Sequence, residues 1–174
     1  MKYIALLRGI NVGGNNKISM PELKLLFESL GFSNVITYIN SGNIIFDNSD
    51  NSEIEIQKKC EDGIKEQFNL NILVLIISVQ DYEDALKHAP SWWDEDKESK
   101  HNAIFVMPST TAKEIVDNIG SNEFEQVYYY KNVIFWSAPL KTFSHTRWAQ
   151  VSKPKGITIR NANTTKKLLQ IAEQ

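Results

Sequence analysis

A loop near the start of the chain combines the residue types that bind anions. Residues 8–18 read RGINVGGNNKI, with one arginine, three glycines and three asparagines. A guanidinium pairs with phosphate and carboxylate groups through parallel hydrogen bonds, and glycine lets backbone amides approach a ligand closely. We expect Arg8 to pair with an anion and Asn11 to orient it. Gly13 and Gly14 would cradle it with their amides; the alternative is a tight loop whose glycines serve geometry alone.

A second polar stretch, Asn40-Ser41-Gly42-Asn43, separates two strand-like segments. Its Asn40, Ser41 and Asn43 side chains could help to orient the same ligand. Asparagine, serine and glycine are also the residues that a hairpin turn requires. The pattern is therefore open to a purely structural interpretation as well.

Charge is distributed unevenly along the chain. The net charge is −2, but residues 140–174 hold seven basic groups and one acid, and residues 1–40 hold four basic groups and two acids. The middle segment, 41–139, is strongly acidic. If the basic ends meet, they form a surface that attracts anions; otherwise each charge only solvates its own helix face. On charge alone, Lys153 and Arg160 are added to the candidate ligand-binding residues.

Several familiar chemistries are excluded by their missing motifs. The glycine loop has neither the spacing of a dinucleotide fingerprint nor the Gly-Lys-Ser/Thr of a Walker A loop. Cys60 is the only cysteine, and His88, His101 and His145 share no metal-ligand spacing, so we expect no metal and no cofactor. No nucleophile or general base stands out, and whether the protein is an enzyme stays open.

The composition is that of a globular protein, with 42% apolar and 23% charged residues. The longest apolar run, Ile72 to Ile77, is far shorter than the ~20 residues of a membrane-spanning helix. Strand-like sequence starts at Lys2, so we expect no signal peptide and no membrane partner. A single cysteine without a disulfide partner favours the cytoplasm.

Hydrophobic periodicity and caps predict the order β-α-β-β-α-β twice. Residues 1–79 form the first half, 80–101 a linker with a short helix, and 102–174 the second half with a C-terminal helix. Two further details are a helix over Thr142–Val151 and a last helix capped by Asn163. This order predicts an α+β protein with a duplicated ferredoxin-like fold, whose antiparallel sheets carry helices packed on them.

The topology places two of the polar stretches together. The first strand ends at the edge where the turn between the second and third strands lies, so the loop after Arg8 and the Asn40 turn should lie side by side. The first helix also begins there, and its unpaired N–H groups favour an anion.

Three stretches of the chain resemble a bacterial family of about this length that is known as a domain of unknown function. They are ALLRGINVGG at residues 5–14, TYINSGN at 37–43, and TIRN at 158–161 followed by TTKKL at 164–168. The resemblance covers essentially the whole chain and implies a duplicated ferredoxin-like fold without an assigned activity. It adds Asn161, with Gly42 and Thr164, to the motif positions; Ala162 departs from the aromatic residue typical of that motif.

The sequence therefore favours a protein that binds a small phosphate- or carboxylate-bearing ligand at the Arg8 loop. One alternative is a nucleic-acid-associated module that uses the basic C-terminal segment, against which the sequence pI of about 5.9 argues. Another is a non-catalytic protein-interaction domain. The sequence gives no oligomeric state.

Overall fold

The computed structural model describes residues 1–49 and 52–174, and its elements follow an order that repeats once. The first half contains β1 (Lys2–Leu7), α1 (Met20–Ser29), β2 (Ser33–Tyr38), β3 (Asn43–Asp47), α2 (Glu53–Phe68), β4 (Val74–Ser78) and α3 (Val79–Lys87). The second half contains β5 (Ser99–Val106), α4 (Ala112–Ile119), β6 (Gln126–Tyr130), β7 (Val133–Pro139), a 3₁₀ helix (Leu140–His145), α5 (Arg147–Gln150), β8 (Ile157–Asn161) and α6 (Ala162–Ala172).

Each half contains one four-stranded antiparallel sheet. The strand orders are β2-β3-β1-β4 and β6-β7-β5-β8, so the first strand of each half lies between the third and the fourth. This is the ferredoxin-like arrangement. The prediction of a duplicated ferredoxin-like α+β fold is confirmed.

Local sequence explains where the helices begin. The Ser19 hydroxyl accepts the N–H of Glu22 at the start of α1, and Ser52 accepts that of Glu55 in α2. At α4 the capping box is complete, because Glu114 also accepts the N–H of Thr111. These caps satisfy N–H groups that have no acceptor inside their helix.

Two details of the second half differ from the prediction. The segment 142–151 is not one helix, because Thr146 has extended backbone (φ −66°, ψ 148°) and separates the 3₁₀ helix from α5. Its hydroxyl donates to the Phe143 carbonyl at 2.7 Å and accepts the Ala149 N–H at 3.1 Å, so it ends one element and caps the next. The last helix is capped by Asn161, whose Oδ1 accepts the Thr164 N–H at 2.8 Å, and not by Asn163.

By its contacts the chain divides into two compact units. Unit 1 comprises residues 1–82 and 168–174, and unit 2 comprises residues 83–167. In unit 1, α1 and α2 pack on the sheet around buried aromatic rings, among them Phe27 and Phe46. In unit 2, α4 and α5 pack around Trp136 and Trp148. The domain boundaries at 79 and 102 stay a prediction.

Among the described residues, no helix combines the length and the apolar character needed to cross a membrane.

Candidate functional site

The glycine-rich loop of unit 1 folds as a miniature hairpin. The N–H of Asn15 donates to the Val12 carbonyl at 3.0 Å, and the N–H of Asn11 donates to the Asn16 carbonyl at 3.1 Å. The two residues at the tip, Gly13 and Gly14, have φ of +57° and +79°. Positive φ at both central positions is the mark of a type I′ turn, which glycine adopts without strain. The tip is exposed, with open space around both glycines.

Asn11 fastens this hairpin to the rest of the edge. Its Nδ2 donates to the carbonyls of Ile18 and Asn40, both at 2.8 Å, and its Oδ1 accepts the Ile18 N–H at 2.9 Å. The loop and the Asn40 turn therefore lie side by side, as the topology predicted. Since both amide hydrogens of Asn11 bind protein carbonyls, this side chain joins the glycine-rich loop to the Asn40 turn.

The turn over residues 40–43 is built in a similar way. The buried Asn43 donates through Nδ2 to the Tyr38 carbonyl at 3.0 Å and to the Ser41 hydroxyl at 2.9 Å. Gly42 has φ +79°, and a Cβ there would lie 2.7 Å from the Leu7 Cβ. The turn thus needs its own asparagine and glycine. Asn40, exposed on this turn, contributes its carbonyl to Asn11.

The internal duplication supplies a counterpart for Arg8. The N–H of Leu7 donates to the Gly42 carbonyl at 2.8 Å and that of Arg8 to the Leu73 carbonyl at 3.0 Å. In unit 2, Val106 and Met107 make the equivalent bonds, to the carbonyls of Asn132 (2.9 Å) and Gly156 (2.8 Å).

Arg8 therefore occupies the position that Met107 occupies in the second half. Met107 is buried, whereas Arg8 is half-buried. The loop that follows also differs: residues 8–19 join β1 to α1, whereas residues 107–111 join β5 to α4. The second half forms the same fold without a cation at this position and without a glycine hairpin in the loop.

The three C-terminal candidates lie in unit 2 and have protein partners. Arg160 is buried in β8, and its Nη1 donates to the Thr158 hydroxyl and the Ile159 carbonyl, both at 2.9 Å. The Lys153 ammonium donates to the Trp148 carbonyl at 2.8 Å. Asn161 caps α6 through the Thr164 N–H, so the motif pair Asn161 and Thr164 forms the start of that helix.

Unit 2 also contains a cleft of about 900 Å³ that the sequence did not predict. Lys153 and Asn161 line it, together with residues from 94–102 and the aromatic rings of Trp136 and Phe143. The lining residues are far apart in the sequence, which is why no motif indicated the cleft.

His101 lies at this cleft between a serine and an aspartate. Its Nδ1 is 2.6 Å from the Ser137 Oγ, and its Nε2 is 2.8 Å from the Asp96 carbonyl oxygen and 3.8 Å from the Asp96 carboxylate. Ser137 is only 3% exposed in the middle of β7. A substrate cannot reach its hydroxyl, so this trio serves to join β5, β7 and the segment before β5.

Burial is the main cause of the pKa shifts of Cys60, Glu53 and Lys153. It raises the pKa of the Cys60 thiol to about 12, which leaves this core cysteine unreactive. It raises the pKa of Glu53, against the opposing effect of the hydrogen bond from the Ser78 N–H. Burial lowers the pKa of Lys153, and Glu125 opposes that shift.

The described residues group no three histidine, cysteine, aspartate or glutamate side chains in a way that could hold a metal ion.

Comparison with known proteins places the chain in a family. No curated protein matches it. The solved structure of a conserved bacterial protein from Streptococcus pneumoniae is 31% identical and superimposes with a TM-score of 0.87, covering 98% of each chain. The model of the family described as "Protein of unknown function (DUF1697)" matches residues 1–135, and the chain belongs to that family.

Proposed function

We propose that the chain binds a small oxyanion, a phosphate or carboxylate group, at the edge of unit 1 formed by residues 8–16 and 40–43. The observation that carries this proposal is the contrast between Arg8 and Met107. The second half fills the same backbone position with a buried methionine, so the ferredoxin-like fold itself does not require a cation there. A half-buried guanidinium followed by an elaborated loop is then best explained by a ligand.

The electrostatics of the edge support an anion. Residues 8–17 and 40–43 contain Arg8 and Lys17 but no aspartate or glutamate. The carboxylate of Glu22, at the start of α1, accepts a hydrogen bond from the Ser19 hydroxyl at 2.5 Å. A ligand at this edge would thus meet positive charge close to neutral hydrogen-bonding groups, the combination that oxyanions favour.

The roles of the individual residues follow from their contacts. Arg8 supplies the charge and the paired donors. Gly9, Gly13 and Gly14 keep the backbone open, since no atom lies within 4 Å of a Cβ placed at any of them. Asn11 holds the hairpin against the turn, which keeps the site formed before the ligand arrives.

On the turn, Ser41 and Asn43 shape the edge from the other side. Asn43 is fully buried and anchors the Ser41 hydroxyl, so Ser41, which is half-buried, is the hydroxyl of this turn that can approach a ligand. Asn40 is exposed beside it. We assign Ser41 and Asn40 to orienting the anion and Asn43 to supporting them.

The test is a calorimetric titration of the full chain with inorganic phosphate and, separately, with citrate. The variant Arg8→Met installs the residue that the second half uses. Removing a charge-assisted hydrogen bond costs about 1.5–3 kcal/mol, so we expect phosphate or citrate binding at least about tenfold weaker. Amide resonances of Gly9, Gly13 and Gly14 should shift on titration of the wild type.

The matched control is Lys24→Met, which removes one positive charge from α1 of the same unit, where Lys24 pairs with Glu28 at 3.8 Å. Its affinity should stay within about twofold of the wild type, because a surface ion pair contributes little. Equal affinities for wild type and Arg8→Met, or glycine amides that do not move, would overturn the proposal.

A further inference from the structure

The cleft of unit 2 lies where the second half departs from the first. In the first half, the 16-residue helix α2 connects the third strand to the fourth. In the second half that connection is a six-residue 3₁₀ helix followed by the four-residue α5. β8 pairs with Asn102–Val106 of β5 only. Among the described residues, the first three residues of β5 (Ser99, Lys100 and His101) therefore have no neighbouring strand on the β8 side. The short connection and the short strand leave the cleft open.

Two lysines that line this cleft make cation–π contacts with aromatic rings. The Lys100 Nζ lies 4.4 Å from the centroid of the Phe143 ring, and the Lys153 Nζ lies 5.0 Å from that of Trp136. The two rings are themselves 5.0 Å apart, which brings both ammonium groups to one wall. Within residues 1–49 and 52–174, no carboxylate lies within 4.0 Å of either ammonium. The Glu125 carboxylate, which accepts the Trp136 Nε1–H at 3.0 Å, acts on Lys153 electrostatically without forming an ion pair. Both ammonium groups are therefore positioned by the rings without a direct carboxylate contact among the described residues.

The lining of the cleft also contains three carboxylates, and two of them face protein partners. Asp94 forms an ion pair with Lys166 at 2.7 Å. The Asp96 carboxylate lies 3.8 Å from His101 Nε2. Glu95 is exposed, next to the likewise exposed Lys97. Among the described residues, the lining cations without a carboxylate within 4.0 Å are therefore Lys97, Lys100 and Lys153, and the last two are positioned by the adjoining rings of Phe143 and Trp136.

The start of α6 and two apolar side chains also line the cleft. Ala162 and Asn163 line it and begin the 11-residue α6. The first N–H groups of a helix have no acceptor within it, and here that of Thr164 is already accepted by the Asn161 side chain at 2.8 Å. The half-buried side chains of Phe143 and Ile159 supply the apolar surface. A volume of about 900 Å³ is within the range of small-molecule sites.

We propose that this cleft is a second binding site, which takes a small organic acid: a carboxylate or phosphate group attached to an apolar body. Lys100 and Lys153 pair with the anionic group, and the apolar body packs on Phe143 and Ile159. The site lies wholly within unit 2 and does not depend on the proposed function of the Arg8 edge.

The experiment is an NMR titration of the full chain with phenyl phosphate and with benzoate, which separate a phosphate from a carboxylate head on the same apolar body. Inorganic phosphate, which lacks the phenyl ring, shows how much the apolar body contributes to affinity. We expect the amides of Ala162, Asn163 and Lys100 to shift, and phenyl phosphate or benzoate to bind more tightly than inorganic phosphate. The variants Lys100→Gln and Lys153→Gln should each weaken that binding about tenfold.

The control is Lys141→Gln, which removes an exposed lysine from the 3₁₀ helix that carries Phe143 but does not line the cleft. Its affinity should equal that of the wild type. The proposal is overturned if neither organic acid shifts the Ala162 and Asn163 amides. It is also overturned if all three lysine variants weaken binding equally, since the attraction would then be unspecific. Arg8→Met should leave these shifts unchanged, which separates this test from that of the Arg8 edge.

Discussion

The two halves of the chain share one topology and differ from each other at opposite ends of their sheets. In the first half, the loop after the first strand is long and carries the glycine hairpin, whereas its counterpart, residues 107–111, is short. In the connection before the last strand the relation is reversed, because α2 is replaced by a 3₁₀ helix and the short α5. Each half shows that the fold forms without the other's special feature. The departures from the common pattern are therefore where we look for function.

The largest expected effect concerns the turn that supports the Arg8 edge. Gly42→Ala places a Cβ 2.7 Å from the Leu7 Cβ and 2.8 Å from the Ile10 Cδ1, at φ +79°. Left-handed strain and overpacking together should lower the free energy of unfolding by about 3 kcal/mol. Urea denaturation of the variant measures it.

The second half again provides the control. Asn132 gives its carbonyl to Val106 as Gly42 does to Leu7, but it is exposed and does not have positive φ. Asn132→Ala should change stability by less than about 0.5 kcal/mol. If Gly42→Ala and Asn132→Ala lowered the free energy of unfolding equally, the two turns would be equally constrained, and the contrast between the halves would fail.

A smaller loss is expected for the asparagine that joins the loop to the turn. Asn11→Ala leaves the carbonyls of Ile18 and Asn40 without their donor, and the Ile18 N–H without its acceptor. We expect a loss of about 2 kcal/mol in urea unfolding. The neighbouring Asn15 is exposed, and its side chain makes no hydrogen bond to the described residues, so Asn15→Ala should change stability by less than about 0.5 kcal/mol. A stable Asn11→Ala protein would show that the hairpin holds its position without this brace.

The smallest effect concerns the cleft of unit 2 and is one of pH dependence. Burial lowers the pKa of Lys153 below its ordinary 10.5. Between the folded pKa and 10.5 the unfolded chain binds more protons than the folded protein, so stability rises with pH in that window. Lys153→Met should lack this contribution. The free energies of unfolding of both proteins, measured at several pH values across this window, give the difference. If the free energy of unfolding changes equally with pH in the two proteins, the Lys153 ammonium is fully hydrated.

The sequence predicts the scaffold well, since caps such as Thr111–Glu114 and buried runs such as Ile72–Ile77 are local signals. It also predicts that the Arg8 loop meets the Asn40 turn, because sheet topology alone decides this. It does not distinguish a bracing asparagine from a ligand-binding one, since the Asn11 amide can do either. Nor does it show the break at Thr146, where one side chain ends a 3₁₀ helix and caps α5.

The cleft of unit 2 lies beyond local reasoning for a different reason. Its lysines matter because they rest on Phe143 and Trp136, and these contacts depend on the tertiary structure. The sequence offers only a weak signal in that basic and aromatic residues are frequent after residue 128. A contact formed between separate strands and loops leaves no spacing that a motif could show.

The most direct test of the account is whether phosphate stabilises the folded protein through Arg8. A ligand that binds only the folded state adds about 2.7 kcal/mol to the free energy of unfolding at a hundred times its Kd. We predict that urea unfolding in phosphate, compared with a weakly binding buffer at equal ionic strength, stabilises the wild type and Lys24→Met alike. Arg8→Met should gain much less. An equal gain for Arg8→Met would contradict the assignment of the anion to this edge.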